Sequence, residues 1–312
     1  MISIISPVYN EAENLQELCE RISAAFDSIQ ELFELILIDN GSQDNSLEII
    51  KTMRINDPRI KYLSLSRNFG HQGAILAGLK YASGDAVISL DGDLQHPPEI
   101  IPDMIRLWRE GHEVVYTYKK DQFKNLDLRI FLTKLFYKFI NIISDLKLSF
   151  GQSDFRLLDR KIVSIINQME EKDKFLRGLV NWVGFRQTGI EYEPAPRKRG
   201  ESKFSLRHYI AFALNGTFSF SIVPLRISMY IGMLMTCVFG VMALYYVVLG
   251  LSHVFLKEGV ILPPGWLTIV TSILFLGGIQ LMSIGIIGEY IGRIFMQTKS
   301  RPEFIIKDKA LK

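Results

Sequence analysis

The sequence predicts an α/β domain followed by two helices that are long enough to span a membrane. The first 120 of its 312 residues alternate short β-rich runs with helical patterns, and two long stretches near the C-terminus carry no charged side chain. Strands that alternate with helices indicate a parallel sheet covered on both faces. The hydrocarbon core of a bilayer needs about 20 apolar residues in a helix. We therefore expect a sheet domain first and a membrane hairpin after it.

Five strands and four helices are predicted in the first part of the chain. The predicted strands are Ile2 to Ser6, Glu34 to Ile38, Ile60 to Leu65, Ala86 to Leu90 and Glu113 to Thr117. The predicted helices are Ala12 to Ile29, Ser46 to Arg54, His71 to Ala82 and Pro98 to Arg109. Each segment is assigned from the spacing of its apolar residues.

Two further segments, 123–144 and 204–222, combine a wide apolar and aromatic face with basic side chains. On the pattern alone such a helix can lie in a membrane surface or pack on a protein core. Their position in a chain with membrane spans favours the membrane interface. We include both in a cytoplasmic domain of residues 1–222.

The two uncharged stretches run from Ile227 to Leu256 and from Leu262 to Gly288. Apart from tyrosine and cysteine, His253 is the one titratable side chain in the first stretch. The two stretches predict transmembrane helices at about 226–256 and 263–292, within residues 223–295, and a tail at 296–312. Buried core helices are the alternative, but these seldom exceed about 25 residues without a polar face. Gly288 and Gly292 are spaced for close helix contact, which allows a homo-oligomer.

The charges predict the orientation of this hairpin. Arg226 precedes the first stretch and six basic residues follow the second, whereas the connection carries only Lys257 and Glu258. An excess of Lys and Arg marks the cytoplasmic side, so we expect a multi-pass protein of the inner (plasma) membrane with its large domain and both termini in the cytoplasm. The run from Met1 to Ser6 is too short for a secretory signal. A net charge of +3 is too small to indicate nucleic acid as a partner.

Asp91 and Asp93 are the most informative side chains. They follow the fourth predicted strand, which Gly92 and the Pro97-Pro98 pair must end. Two carboxylates one residue apart can bind one hard cation, and Mg²⁺ or Mn²⁺ takes its other ligands from water and phosphates. Taken alone, Asp-Gly-Asp is more typical of a solvated turn. Asp39 follows the second strand, and the carboxyl ends of parallel strands share one edge, so we expect one cleft.

Five motifs in order resemble those of family 2 glycosyltransferases with the GT-A fold, and the resemblance covers nearly the whole chain. They are Ser6-Pro7-Val8-Tyr9-Asn10-Glu11, Ile38-Asp39-Asn40-Gly41-Ser42, Arg67-Asn68-Phe69-Gly70, the run from Asp91 to Pro98, and the run from Gly151 to Leu157. They resemble the polyprenyl-phosphate branch, which includes bactoprenol glucosyltransferases and dolichol-phosphate mannose synthases. The paired C-terminal spans fit the bactoprenol-glucosyltransferase type best. One motif departs from the family, since Asn40 stands where a second aspartate is usual.

The resemblance implies a role for each of these side chains. Those expected to bind the nucleotide sugar are Pro7, Tyr9, Glu11, Asp39, Asp91 and Gln95, and those expected to bind Mg²⁺ or Mn²⁺ are Asp91 and Asp93. The expected catalytic residues are Asp154, Asp93 and Arg156. A lipid monophosphate is already ionised near neutral pH, since its second pKa is about 6. The resemblance places Asp154 in the general-base region of the family, but an ionised acceptor needs no base. Asp154 either acts as a base or positions the acceptor or the metal.

The acceptor phosphate needs cations and hydroxyl donors. We expect these first from Arg129 and Arg156, and next from Arg199, Ser202 and Lys203. A cluster of this kind can also simply hold a domain to anionic lipid. His71, His96 and His208 show no spacing typical of a metal site and are interpreted as structural.

The resemblance implies an inverting, metal-dependent transfer of one hexose from UDP-glucose to undecaprenyl phosphate at the cytoplasmic membrane face. The partners are then a nucleotide sugar, a polyprenyl phosphate and the bilayer. The same reaction with an aminoarabinose-type or galactosamine-type UDP-sugar, or with GDP-mannose, fits the motifs as well. A processive polysaccharide synthase would need a pore, which two spans do not make. A non-catalytic membrane protein that binds nucleotide sugars is the alternative from another class.

Overall fold

The computed structural model describes residues 1–120, 152–171, 174–193, 223–256 and 265–311. The chain divides into two units, of which the first comprises Met1–Ser219 and Ser300–Lys312 and the second Phe220–Lys299. The two predicted interfacial helices, at 123–144 and 204–222, lie outside the described residues.

Within the described residues, the first unit contains one eight-stranded sheet, six α-helices and one short 3-10 helix, Pro98–Ile100. The strands are β1 Ile2–Val8, β2 Phe33–Asp39, β3 Ile60–Leu65, β4 Ala86–Ser89, β5 Val114–Lys119, β6 Gln152–Asp159, β7 Gln187–Tyr192 and β8 Ile306–Ala310. The helices are α1 Leu15–Asp27, α2 Ser46–Asn56, α3 Gly70–Tyr81, α4 Ile101–Arg109, α5 Arg160–Gln168 and α6 Leu176–Trp182. The α/β prediction for the first part of the chain is confirmed element by element, with shifts of a few residues at the ends.

The sheet is mixed, which corrects the expectation of a parallel one. Its strand order is β7-β5-β6-β4-β1-β2-β3-β8. Strands β1 to β4 pair in parallel as predicted, but β6 inserts antiparallel between β4 and β5, and β8 adds antiparallel to β3. Because β6 runs against β4, its first residues lie at the same edge as the carboxyl ends of β1, β2 and β4.

Apolar side chains cover both faces of this sheet. Ile4 and Leu35 belong to a core packed under α1 and α4, while Ile5 and Ile36 belong to a second core packed under α3 and α5. Neighbouring residues of a strand point to opposite faces, so strands buried on both sides read as continuous apolar runs. Each fully buried side chain of this size contributes about 1.5–3 kcal/mol. The two cores hold the edge that carries the acidic residues in a fixed position.

The second unit consists, in its described part, of two long helices, α7 Val223–Leu256 and α8 Trp266–Thr298. Both contain windows that are long and apolar enough to cross a membrane, Leu225–Met242 and Phe275–Thr298. The Ser228 and Ser283 hydroxyls form a hydrogen bond of 2.7 Å between the helices. Helix α8 continues beyond the expected end near residue 292. Gly288 and Gly292 pack against no other part of the described chain, since an added Cβ would meet nothing within 4 Å. Self-association through this glycine pair stays a prediction.

The C-terminal segment is more than the tail that the sequence predicts. Its residues Ile306–Ala310 form β8, the strand that closes the β3 edge of the sheet. The Tyr62 hydroxyl donates a hydrogen bond of 2.9 Å to Asp308, and the Ser66 amide donates one of 2.9 Å to the Ile305 carbonyl. Residues 300–311 therefore belong to the sheet unit.

Candidate active site

The Asp91–Asp93 pair lies just past the end of β4, against the end of β1. Gly92 packs so closely there that an added Cβ would lie 3.2 Å from the Pro7 carbonyl oxygen and 3.8 Å from the Glu11 side chain. Glycine at this position lets the acidic turn approach β1 without crowding the Pro7 carbonyl. The turn thus brings both carboxylates beside Pro7 at the end of β1 and beside the loop that carries Tyr9 and Glu11.

The backbone of this turn is held in an uncommon conformation. Leu94 is buried and has a φ of 62°, in the left-handed region that residues with a Cβ seldom adopt. The Asp93 carboxylate accepts a hydrogen bond of 3.1 Å from the Gln95 amide, which closes the turn. Such local strain persists where the surrounding structure enforces it, and it clusters at functional sites.

His96 supports the acidic turn from behind, in the structural role that the sequence predicts for it. Its Nδ1 atom accepts a hydrogen bond of 3.1 Å from the Asp91 amide, and its Nε2 atom lies 2.7 Å from the Ser153 hydroxyl. Because Nδ1 accepts, a neutral ring carries its proton on Nε2 and donates it to Ser153. The ring is 4% exposed. It therefore joins the acidic turn to the start of β6.

Asp39 and Asn40 organise the neighbouring loop at the end of β2. The Asp39 carboxylate accepts hydrogen bonds from the Ser42 amide at 2.9 Å and the Ser64 hydroxyl at 3.0 Å. The Asn40 amide group donates to Asn68 and to the Gly70 carbonyl, and its oxygen accepts from the Phe69 amide at 2.9 Å. Asn40 thus acts as donor and acceptor at once, which an ionised aspartate cannot do.

A second set of hydrogen bonds connects the loop after β1 to the start of α2. The Glu11 amide donates to the Ser46 hydroxyl at 3.0 Å, and the Asn10 amide donates to the Ser42 hydroxyl at 3.1 Å. The Glu11 carboxylate accepts from Asn14 at 2.6 Å. Tyr9 is 37% exposed at this edge. The loop that carries Tyr9 and Glu11 and the loop that follows Asp39 therefore brace each other beside the acidic turn.

Asp154 comes to the same edge from β6. In the β4–β6 pair, Ser89 is opposite Arg156, so Asp154 extends past the end of β4 on the same side as Asp91. Arg177 of α6 holds its carboxylate with two hydrogen bonds of 2.9 Å, and Arg156 adds one of 3.2 Å. Burial alone would raise the pKa of Asp154, but the charges of Arg177, Arg156 and His71 hold that pKa well below its usual range. The carboxylate is ionised and has little basicity.

Arg156 does not face the cleft as the sequence predicts for a phosphate ligand. Its side chain is 4% exposed and donates to the Ser153 carbonyl and to Asp154. Its Nε atom is buried and has no hydrogen-bond partner within the described chain. Burial lowers the pKa of this guanidinium, while Asp154 opposes the shift. Arg156 therefore supports Asp154 from behind.

Two side chains near Asp154, His71 and Arg177, were not predicted as site residues. His71 is 40% exposed, and its Nε2 atom lies 3.2 Å from Asp91 and 3.7 Å from Asp154, so it borders the site and its interpretation as a structural histidine is revised. One feature of the sequence could have indicated Arg177, which is the sole charged residue between Phe175 and Phe185. A lone charge in an apolar run is commonly paired when it is buried.

The carboxylate pair fits a divalent cation that shares its coordination with a ligand. Asp91 is 32% exposed and Asp93 is half-buried, so both are accessible from the cleft. Among the described residues, no three His, Cys, Asp or Glu side chains converge into a preformed cage. Two carboxylates with further ligands from water and phosphates suit Mg²⁺ or Mn²⁺. Arg129, Arg199, Ser202 and Lys203 lie outside the described residues.

The sheet, the acidic turn and the two braced loops define a glycosyltransferase of the GT-A type. The chain belongs to glycosyl transferase family 2, whose family model matches residues 3–165. It is 38% identical over 310 residues to an uncharacterized glycosyltransferase of Synechocystis, with 98% of this chain and 95% of that protein covered.

Two relatives carry more specific names. The bactoprenol glucosyl transferase of Shigella phage SfV is 37% identical over 311 residues, which cover 100% of this chain and 99% of the relative. A prophage-derived bactoprenol glucosyl transferase of Shigella flexneri is 38% identical over 306 residues, which cover 98% of this chain and 97% of the relative. The similarity thus includes the part of the chain that forms the two apolar helices.

A solved structure shares the fold. The mannosyltransferase PcManGT of Pyrobaculum calidifontis, determined in complex with GDP-Man and Mn²⁺, aligns with a TM-score of 0.51. The alignment covers 70% of this chain and 63% of that one at 16% identity. At this identity the likeness extends to the fold alone.

Proposed function

We propose that this glycosyltransferase transfers one hexose from UDP-glucose to undecaprenyl phosphate, with inversion at the anomeric carbon. The observation that carries the proposal is the full-length similarity, at 37% and 38% identity, to relatives named bactoprenol glucosyl transferases. The geometry of the cleft supports it, because the carboxylates of Asp91, Asp93 and Asp154 and the two braced loops meet at one sheet edge.

The donor binds at the loops that follow β1, β2 and β4. Tyr9 and Asp39 contact the base and ribose, with Pro7 and Glu11 shaping the same wall. Asp91 and Asp93 hold Mg²⁺ or Mn²⁺ with Gln95 nearby, and the ion, when bound, offsets charge on the departing nucleoside diphosphate. Each of these side chains lies at the end of β1 or β2, on the loop after β1, or on the acidic turn.

The acceptor needs no base. An oxygen of the lipid phosphate attacks the anomeric carbon, a carbon–oxygen bond forms, and the bond to the nucleoside diphosphate breaks with its electron pair leaving on that group. The lipid phosphate is already ionised near neutral pH. Asp154, whose pKa is held well below its usual range, positions groups at the cleft and takes no proton. Arg129, Arg199, Ser202 and Lys203 are the proposed ligands of the acceptor phosphate.

The reaction takes place at the cytoplasmic face of the inner membrane. Helices α7 and α8 are long and apolar enough to span a bilayer. Basic residues flank the pair, whereas the connection holds one lysine and one glutamate. An anchored cleft of this kind meets its lipid acceptor by diffusion in two dimensions.

A product assay tests the proposal. The full-length protein in nanodiscs receives undecaprenyl phosphate, Mn²⁺ or Mg²⁺, and one donor at a time from a panel of UDP-glucose, UDP-galactose, UDP-N-acetylgalactosamine, a UDP-aminoarabinose and GDP-mannose. Mass spectrometry of the lipid extract should find a lipid-linked monosaccharide with UDP-glucose.

The matched pair of variants is Asp91→Asn and Asp103→Asn. The first should lower turnover by at least about a hundredfold, because it removes a carboxylate from the metal–diphosphate site. Asp103 is exposed on α4 and its variant should match the parent protein. Transfer from a different donor would correct the sugar, whereas a polymeric product, or no lipid product from any donor, would overturn the proposal.

A further inference from the structure

The C-terminal segment, residues 300–311, touches elements that build the candidate site. Beyond the β8–β3 pairing, Phe304 packs on the core beside α3, where Lys80 lies 5.7 Å from its ring centroid. A Cβ added to Gly73 of α3 would lie 3.5 Å from the Glu303 carbonyl oxygen. Helix α3 also carries His71, which borders Asp91 and Asp154. The segment thus runs along one of the helices that supply the site.

The same segment forms an ion pair with the residues that lead into α6. The Lys174 ammonium lies 3.5 Å from the Glu303 carboxylate, and the two side chains are 7% and 19% exposed. Removing the Glu303 charge would take this partner from the buried Lys174 ammonium, and breaking a buried ion pair in this way is costly. Lys174 is three residues from Arg177, the residue that holds Asp154 with two hydrogen bonds.

Helices α3 and α6 are also joined to each other at this point. The Leu176 amide, the first of α6, donates a hydrogen bond of 3.2 Å to the Gln72 side chain. The Glu303 region therefore contacts both helices at the ends nearest the site. Arg177 and His71 approach the Asp154 carboxylate from these two ends.

We propose that Glu303 and Lys174 are positioning residues, which set the start of α6 so that Arg177 holds Asp154 in place for transfer. The inference rests on the proposed function, because it assigns a role to Asp154 in that reaction. It makes residues 300–311 a working part of the catalytic unit. Because Lys174 and Glu303 act through Arg177, they touch no substrate.

The test compares Glu303→Gln with the charge-swapped double variant Lys174→Glu/Glu303→Lys in full-length protein. Glu303→Gln should lower turnover at saturating substrates by about tenfold, since small misplacements of catalytic groups have effects of this size or larger. Affinity for UDP with Mn²⁺ should stay within about twofold, because the proposed nucleotide-binding loops follow β1, β2 and β4 and are separate from α6. The double variant should recover most of the turnover.

Amide hydrogen exchange provides a readout that does not depend on activity. Residues 176–182 should exchange about tenfold faster in Glu303→Gln and near the parent rate in the double variant, whereas α1 should not change. Glu48→Gln is the matched control, because Glu48 pairs with Lys51 on the exposed face of α2. This variant should alter neither turnover nor exchange.

The outcomes separate the two proposals. Parent turnover and parent exchange in Glu303→Gln would overturn the positioning role, as would equal loss of UDP affinity and turnover, which indicates general unfolding. If the parent protein transfers no sugar, the proposed function fails. The exchange of residues 176–182 then decides alone whether Glu303 holds α6.

Discussion

Asp154 shows how neighbouring charges decide the chemistry of a single residue. It is 14% exposed, and burial without partners would make it a proton acceptor. The Arg177 fork and the Arg156 guanidinium keep it ionised instead. A carboxylate in this state can orient a cationic or hydroxyl group, but it is a poor general base at neutral pH. This suits an acceptor that arrives already ionised.

The hydrogen bonds of Asn40 predict the effect of a single substitution at this residue. Asn40→Asp should destabilise the sheet unit by about 2–3 kcal/mol at pH 7, because the buried carboxylate cannot donate to Asn68 and the Gly70 carbonyl. Burial raises the folded-state pKa of such a carboxyl above its unfolded value of about 3.9. The deficit should therefore grow as pH rises above about 4, when thermal unfolding is followed between pH 4 and pH 8.

The control for this variant is Asn56→Asp at the exposed end of α2. It should change the unfolding temperature little at any pH. Equal stability of Asn40→Asp and the parent protein at pH 8 would show that the donor function of Asn40 is dispensable.

At the scale of elements, the sequence predicts what depends on local spacing. Strands β1 to β5 and helices α1 to α4 follow from apolar periodicity, and the Asp91 turn follows from glycine and proline. Strands β6, β7 and β8 depend on which distant segments pair. The antiparallel insertion of β6 is what brings Asp154 beside Asp91, and no period in the sequence encodes it. Arg177 of α6, which follows β6 in the chain, joins the site for the same reason.

Glu34 gives a prediction for the β1–β2–β3 part of the sheet. Burial would raise its pKa, but hydrogen bonds from Lys61, Ser3 and Ser83 lower the pKa to about 2. Its folded pKa is below the unfolded value, so its stabilisation is full above about pH 4.5 and is lost as pH falls toward 2. At about 1.4 kcal/mol per pKa unit, this amounts to roughly 3 kcal/mol.

Glu34→Gln should therefore unfold about 3 kcal/mol more easily at pH 7, and the gap to the parent protein should close between pH 4.5 and pH 2. Denaturant unfolding of the full-length protein measures both. Glu110→Gln, at an exposed position after α4, serves as the control and should show no gap. A gap that stays constant with pH would mean that the contribution of Glu34 is not electrostatic.

At the scale of the whole molecule, the charges around the two apolar helices predict the orientation of the chain. With Cys19 and Cys237 replaced by serine, a cysteine at position 257 should react with a membrane-impermeant maleimide on intact cells. A cysteine at position 307 in the C-terminal segment should react only after the cells are opened. Labelling of position 307 in intact cells would reverse the orientation and remove the cytoplasmic cleft.

The proposed reaction depends most on a divalent ion and a nucleoside diphosphate meeting at the Asp91–Asp93 turn. Anomalous diffraction from crystals grown with UDP and Mn²⁺ measures this directly. We expect a manganese peak within about 2.5 Å of a carboxylate oxygen of Asp91 or Asp93, with the diphosphate as a further ligand. Manganese and UDP bound away from that sheet edge would contradict the assignment of the site.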